Sequence, residues 1–180
     1  MIPLIAHTPR LMLLAASRAL LTAELNKPRY FPVLLGATLP TDWPPGEYDE
    51  ESIRYFLAQL TAGGRTAAGW YGWYAIRRAT DLHPASLIGA GGFWGPPDVE
   101  GTAEIGYSIA TDWRGQGLAT ELVAGLVQHA ARTGQVRRLL AHTLPDNAVS
   151  QRVLVRNGFR IIGLNSDKRV RFERAVEPGA

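Results

Sequence analysis

The chain has 180 residues, 46% of them hydrophobic and 19% charged, which is typical of one globular domain rather than of a disordered chain. It contains no cysteine, which excludes disulfides, thiolate metal sites and cysteine nucleophiles. The net charge is +3, with scattered arginines, so we expect no nucleic-acid partner. The four histidines lack metal-ligand spacing, so we expect no metal.

The N-terminal stretch MIPLIAHTPRLMLLAASRALL has the apolar composition of an export signal. Its first positive charge, Arg10, follows the first apolar residues instead of preceding them, and LMLLAA is too short to span a membrane. We therefore predict a first strand over residues 10–16, a helix over 17–27, and a cytoplasmic protein that does not bind membranes.

The first half continues with a proline-rich segment, residues 29–51, which predicts a loop. A helix is predicted over 49–62 because Gly63 and Gly64 follow it. Two β-rich stretches, 70–78 and 86–94, flank the turn TDLHPA and predict a hairpin.

The second half alternates between strands and helices. Residues 103–110 alternate strictly in polarity, and the helix after them has Leu118, Leu122, Leu126 and Ala130 on one face. The predicted elements are a strand over 103–110, a helix over 117–132, a strand over 137–143, a helix over 147–157, and a hairpin of 159–164 with 168–175. This order predicts a mixed α/β fold with helices on both faces of one sheet, and we assign residues 1–180 to one domain.

The stretch TDWRGQGLATELVAGL, residues 111–126, places glycines where a strand turns into a helix. Glycines let a ligand approach the backbone, and the first N–H groups of a helix have no partners within it, so this turn suits a phosphate. Arg114 adds a positive charge and Thr120 a hydroxyl. A Walker A loop is excluded because no lysine is present, and a dinucleotide fingerprint fails because Thr120 stands where its third glycine is required.

A third phosphate motif fits: Arg114-x-x-Gly117-x-Ala119 matches the acetyl-CoA signature R/Q-x-x-G-x-G/A. Its surroundings, AEIGYSIATDWRGQGLATEL and HTLPDNAVSQRVLVRNGFR, extend the match. The chain resembles the GNAT superfamily of N-acetyltransferases, and most of all its RimJ/RimL type, the ribosomal-protein N-terminal acetyltransferases. The resemblance is specific over residues 86–160, the expected acetyl-CoA-binding core.

The resemblance implies a mostly antiparallel sheet in which two central strands, 103–110 and 137–143, splay apart. It implies acetyl transfer from acetyl-CoA to a primary amine, of a protein N-terminus or a small molecule, by direct attack, and it suggests a homodimer. The oxyanion would take a backbone N–H near Tyr107–Ser108. The expected acetyl-CoA-binding residues are Ile109, Arg114, Gly115, Gln116, Gly117, Leu118, Ala119, Thr120 and Asn147.

The resemblance also guides the catalytic candidates. Many relatives carry a tyrosine seven residues after the asparagine as a proton donor, but Leu154 stands there, so Ser150 becomes the candidate acid. Glu104 is the candidate base, the alternative being a rim carboxylate paired with an arginine. Asn147 could equally be a helix cap, and Ser150 a satisfied helix hydroxyl. His142 could lie near the acetyl group or be a core or edge histidine.

Trp43 and Trp94 are predicted to line the acceptor pocket because they lie in loops, the alternative being packing alone. Two other functions compete. GYSIA nearly matches the hydrolase nucleophile elbow, but Ser108 lies inside an alternating strand instead of on a sharp turn. A non-catalytic acyl-CoA-binding module is the stronger alternative, because Leu154 cannot donate a proton.

Overall fold

A computed structural model of the protein describes residues 4–177. Within them, the strands are β1 (Ile5–His7), β2 (Leu11–Ala15), β3 (Gly72–Arg77), β4 (Ser86–Phe93), β5 (Thr102–Ile109), β6 (Arg138–Thr143), β7 (Arg160–Leu164) and β8 (Val170–Ala175). The helices are α1 (Arg18–Asn26), α2 (Phe31–Leu35), α3 (Glu50–Gly63), α4 (Leu118–Thr133) and α5 (Ala148–Arg156). This confirms the predicted mixed α/β fold.

The strands form one sheet in the order β1-β2-β3-β4-β5-β6-β8-β7. Every neighbouring pair is antiparallel except β5 and β6, which are parallel and are joined through α4. A parallel pair needs such a crossover because its two strands start at the same end of the sheet.

Helices cover both faces of this sheet, as β3 shows. A Cβ on Gly72 would lie 2.9 Å from Phe56 of α3, while the next residue, Trp73, packs its ring 4.6 Å from that of His129 on α4. Successive strand residues point to opposite faces, so α3 and α4 lie on opposite sides. The predicted apolar face of α4 is confirmed: Leu118, Leu122, Leu126 and Ala130 are all buried.

Two short elements differ from the predictions. The strand predicted first is preceded by β1, which pairs with β2 at the sheet edge. The segment predicted as a loop contains α2, where Pro32 lies in the first turn and lacks only an N–H that the helix would leave unpaired there. Elements of three to five residues carry too little periodic pattern to be predicted. Within residues 4–177, no helix is both long and apolar enough to cross a membrane.

The predicted separation of two central strands is visible in the register of β5 and β6. They pair only from Thr102 with Arg138 to Ile105 with Ala141, although β5 continues to Ile109. On the other side, the Glu104 carbonyl accepts from Trp94 and the Ala110 N–H donates to Ile88. Backbone groups alternate sides along a strand, so Tyr107 and Ile109 direct theirs away from β4, into the gap.

Glu24 on α1 holds the segment between α2 and α3 against the sheet. Its carboxylate accepts hydrogen bonds from Trp43 Nε1 at 2.8 Å, from the Tyr48 hydroxyl at 2.9 Å and from the Tyr74 hydroxyl at 2.6 Å. Trp43 and Tyr48 belong to that segment and Tyr74 to β3. Burial raises the pKa of Glu24, and the hydrogen bonds from the three donors oppose the rise.

We expect Glu24→Ala to lower the free energy of unfolding by about 2–4 kcal/mol, because it leaves the buried Tyr48 and Tyr74 hydroxyls without their acceptor. Since the folded-state pKa lies above the ordinary value of 4.5, the neutral carboxyl is favoured in the fold. Its contribution to stability is complete below pH 4.5 and is lost as the pH rises through the raised pKa.

Glu24→Gln cannot ionise and should remove this loss. Urea unfolding of the wild type and of Glu24→Gln at several pH values between about 4 and 8 measures the difference. As the pH rises, the unfolding free energy of Glu24→Gln should increase relative to that of the wild type. A difference between the two that does not change with pH would contradict the raised pKa.

Candidate active site

A cavity of about 700 Å³ opens beside the region where β5 and β6 separate. Its walls come from four parts of the chain: β4, the β5 residues 104–108, the segment just before α3, and the turn between β7 and β8. Other lining residues include His142 on β6 and Trp94 at the end of β4. The cavity therefore meets the part of β5 whose backbone faces the gap.

Glu104 and His142 form a pair in the wall of this cavity. His142 Nδ1 lies 2.8 Å from Glu104 Oε1, and His142 directly follows the last β6 residue that pairs with β5. The side chains are 41% exposed for Glu104 and 18% for His142, so both reach solvent in the cavity. A carboxylate that holds one imidazole nitrogen leaves the other nitrogen free to take up a proton.

This arrangement changes the interpretation of both residues. Glu104 lines the cavity as a base should, but its partner is a histidine and not the arginine of the alternative interpretation. His142 was only a weak candidate from the sequence. No local signal connects it with Glu104, because the contact depends on the parallel register of β5 and β6.

Two acidic residues just before α3, Glu47 and Asp49, supply part of the cavity wall. Asp49 caps α3, accepting from the Ser52 N–H at 2.9 Å. Glu47 accepts from Arg169 in the turn before β8 at 2.7 Å, across the cavity lining. Together with Glu104 and Asp167, these side chains place four carboxylates around the cavity, beside one arginine and one histidine.

The two predicted pocket tryptophans have different positions. Trp94 lines the cavity and is 42% exposed. Trp43 is not part of the lining, because its indole donates to Glu24 and its ring packs 5.5 Å from that of Tyr48, which does line the cavity. Trp94 thus lines the cavity, whereas Trp43 packs behind Tyr48, outside the lining.

The glycine turn ahead of α4 is an exposed concave loop. Gly115 and Gly117 have φ values of +73° and +77°, which favour glycine, and nothing lies within 4 Å of where a Gly115 Cβ would be. No side chain caps α4, so the backbone N–H groups of Leu118, Ala119 and Thr120 have no helical acceptor. Gln116 in this segment is exposed and Leu118 is buried. The loop can therefore hold a phosphate group.

Two arginines hold this loop in place. Arg114 Nε donates to the Ile109 carbonyl at 2.9 Å and so connects the loop to the end of β5. Arg10 donates to the Gln116 carbonyl at 2.9 Å, while its Nε donates to Glu121 at 2.8 Å. Sequence reasoning missed Arg10, which lies far from the loop in the chain, and assigned Arg114 only a charge for the ligand.

The start of α5 carries the remaining predicted residues. Asn147 is the helix cap, since its Oδ1 accepts from the Ser150 N–H at 3.0 Å, and its amide NH₂ group is left for other partners. The Ser150 hydroxyl lies 2.8 Å from that of Tyr107 on β5. Leu154, on the same helix, is fully buried. In the described part of the chain, no three histidine, aspartate or glutamate side chains are grouped as metal ligands.

Comparison with known proteins identifies the family of this chain. Residues 24–160 match the acetyltransferase (GNAT) domain. The uncharacterized N-acetyltransferase YjdG of Bacillus subtilis is 29% identical over 153 residues, covering 85% of this chain and 88% of YjdG. The ribosomal-protein-serine acetyltransferase of Escherichia coli is 36% identical over 77 residues, covering 43% of each chain.

A solved structure of RimL, the ribosomal L7/L12 α-N-protein acetyltransferase in complex with coenzyme A, has the same fold, with a TM-score of 0.69. The superposition covers 98% of this chain and 100% of the RimL chain, and the two sequences are 21% identical. The family match spans the glycine loop and the cavity wall up to His142, and it agrees with the signature Arg114-x-x-Gly117-x-Ala119. The chain belongs to the GNAT acetyltransferase family, and the predicted N-acetyltransferase activity is confirmed at that level.

Proposed function

We propose that the protein transfers the acetyl group of acetyl-CoA to the α-amine of a peptide or protein N-terminus. The observation that carries the proposal is the Glu104–His142 pair in an acid-lined cavity beside the gap between β5 and β6. A free α-amine has a pKa near 8, so a nearby base of moderate strength can deprotonate it at neutral pH.

Acetyl-CoA supplies an acetyl thioester, and three parts of the chain suit its different groups. The open loop at Gly115–Gly117 and the first N–H groups of α4 suit the pyrophosphate. The backbone groups of Tyr107 and the N–H of Ile109 face the gap and suit the amide groups of pantetheine, while the Ile109 carbonyl accepts from Arg114. The Asn147 NH₂ group adds a donor at the start of α5.

The residues of the chain then divide the chemistry. Glu104 and His142 take a proton from the attacking amine, directly or through a water molecule. A backbone N–H near Tyr107 meets the negative charge that develops on the carbonyl oxygen. Most of the rate enhancement comes from holding amine and thioester together.

The cavity and the relatives support this acceptor class. Glu47, Asp49 and Asp167 favour a cationic amine, and the wall at Trp94 gives an apolar surface for the first side chains of a peptide. Two relatives are named for acetylating ribosomal proteins, on serine and on alanine. A cytoplasmic location would follow from an acceptor of that kind.

The experiment is an acceptor screen that measures released CoA with a thiol reagent. Because the chain has no cysteine, the thiol signal comes from CoA alone. Peptides with a free N-terminal serine or alanine are compared with the same peptides blocked at the N-terminus and carrying an internal lysine, and with spermidine as a small polyamine.

We expect turnover with the free N-termini and little with the blocked peptides. Turnover with spermidine but not with peptides would show that the acceptor is a small polyamine and not a protein N-terminus. Binding of acetyl-CoA without turnover on any amine would favour the non-catalytic acyl-CoA-binding module instead.

A further inference from the structure

The departing sulfur needs a hydrogen-bond donor, and α5 does not offer the expected one. Leu154 is apolar and fully buried, so it cannot meet the charge that develops on sulfur. Ser150 is the remaining hydroxyl on this part of α5, but a serine hydroxyl rotates freely unless a partner sets its direction. The question is therefore what orients the Ser150 hydroxyl.

Tyr107 is placed to do so. Its hydroxyl donates to the Ser150 backbone carbonyl at 3.1 Å and lies 2.8 Å from Ser150 Oγ, a contact in which either hydroxyl can be the donor. The two residues are 43 positions apart in the chain. Tyr107 lines the acceptor cavity, and its backbone faces the gap between β5 and β6. The contact thus joins β5 to α5 beside the cavity, where the sequence showed no connection.

We propose that Tyr107 is a positioning residue: with acetyl-CoA bound, its hydroxyl turns from the Ser150 carbonyl to donate to Ser150 Oγ and so directs the Ser150 hydrogen at the sulfur of the thioester. The inference rests on the proposed acetyl-CoA-dependent function. With one lone pair of Ser150 Oγ occupied by Tyr107, the Ser150 hydrogen is free to point toward another acceptor.

Tyr107 keeps its hydrogen under the conditions of the reaction. Burial raises the pKa of Tyr107 to about 12, so the phenol stays neutral throughout the neutral range. During transfer the nitrogen–carbon bond forms, the carbon–sulfur bond breaks and its electron pair goes to sulfur. One amine proton goes to Glu104–His142, and the thiolate, held by the Ser150 hydrogen bond, takes its proton from solvent.

The test measures the thiol pKa of CoA bound to the protein, by the ultraviolet absorbance of the thiolate as the pH is raised. The absence of cysteine makes this signal specific to CoA. A hydrogen bond to the thiolate lowers its pKa. We therefore expect a lower thiol pKa in the complex than in free CoA, and a rise of about one unit in Ser150→Ala, in Tyr107→Phe and in the double variant alike.

Turnover provides the second readout. Tyr107→Phe keeps the ring and should lower kcat about tenfold at an unchanged KM for acetyl-CoA, with no further loss when Ser150→Ala is added. Tyr71→Phe is the matched control, because it removes a phenol hydroxyl that donates to Gln59 at 3.3 Å, outside the cavity lining. It should leave both readouts unchanged.

A thiol pKa that is unchanged in Tyr107→Phe but raised in Ser150→Ala would overturn the role of Tyr107. A thiol pKa in the wild-type complex equal to that of free CoA would overturn the whole inference. Because the thiol titration uses no amine, it distinguishes these results from failure of the proposed acceptor, which would leave the titration as expected and abolish turnover alone.

Discussion

Gly117→Val is expected to abolish acetyl-CoA binding in a protein that still folds. Gly117 precedes α4 with a φ of +77°, and among residues 4–177 a Cβ there would meet the Arg10 guanidinium alone, at 3.5 Å. A branched side chain there would occupy the space that a phosphate needs and would pull the loop from its positive φ. Losing two or three charge-assisted hydrogen bonds should weaken binding by at least about 100-fold, as measured by calorimetric titration.

Gly134→Val is the matched control, because it lies at the opposite end of the same helix. Gly134 has a φ of +66°, and nothing lies within 4 Å of its Cβ position. The two variants should lose similar stability through strain, about 1–3 kcal/mol each, but only Gly117→Val should lose binding. Wild-type affinity in folded Gly117→Val would refute the phosphate loop, and an equal loss in Gly134→Val would assign the effect to stability.

Glu104→Gln is expected to lower kcat/KM about 100-fold at pH 7, because it removes the carboxylate of the proposed base. The loss should shrink as the pH rises above about 8, where an α-amine increasingly reaches the enzyme already deprotonated. A pH profile of kcat/KM with a peptide acceptor measures both effects. His142→Asn should give a similar profile, and the double variant little further loss, if the two residues act as one unit.

Glu100→Gln is the control for this change. Glu100 lies in the turn before β5, with its side chain 76% exposed and 3.8 Å from Arg138, so its replacement should leave the profile unchanged. A Glu104→Gln rate equal to that of the wild type at every pH would exclude Glu104 as the base. A constant loss at all pH values would indicate a role in orienting the acceptor.

Local patterns were enough to predict most long elements. The stripe from Leu118 to Ala130 repeats every three to four residues and is buried in α4. The motif at Arg114 and Gly117 spans only a few residues, so its loop geometry could also be predicted. The caps of α3 and α5, Asp49 and Asn147, lie within three residues of the N–H groups they accept from. Interactions of this range depend on neighbours in the chain.

The sequence by itself thus determined the fold class, the family and the glycine turn ahead of α4, because each depends on short-range spacing and on a contiguous motif. Tertiary structure alone decided which side chains meet in the site. His142 and Glu104 are 38 residues apart, Tyr107 and Ser150 43, Arg10 and Gln116 106, and Glu47 and Arg169 122. Each contact depends on sheet order and register, above all on where β5 and β6 part after Ile105. Packing of the whole chain sets that point, and no local pattern records it.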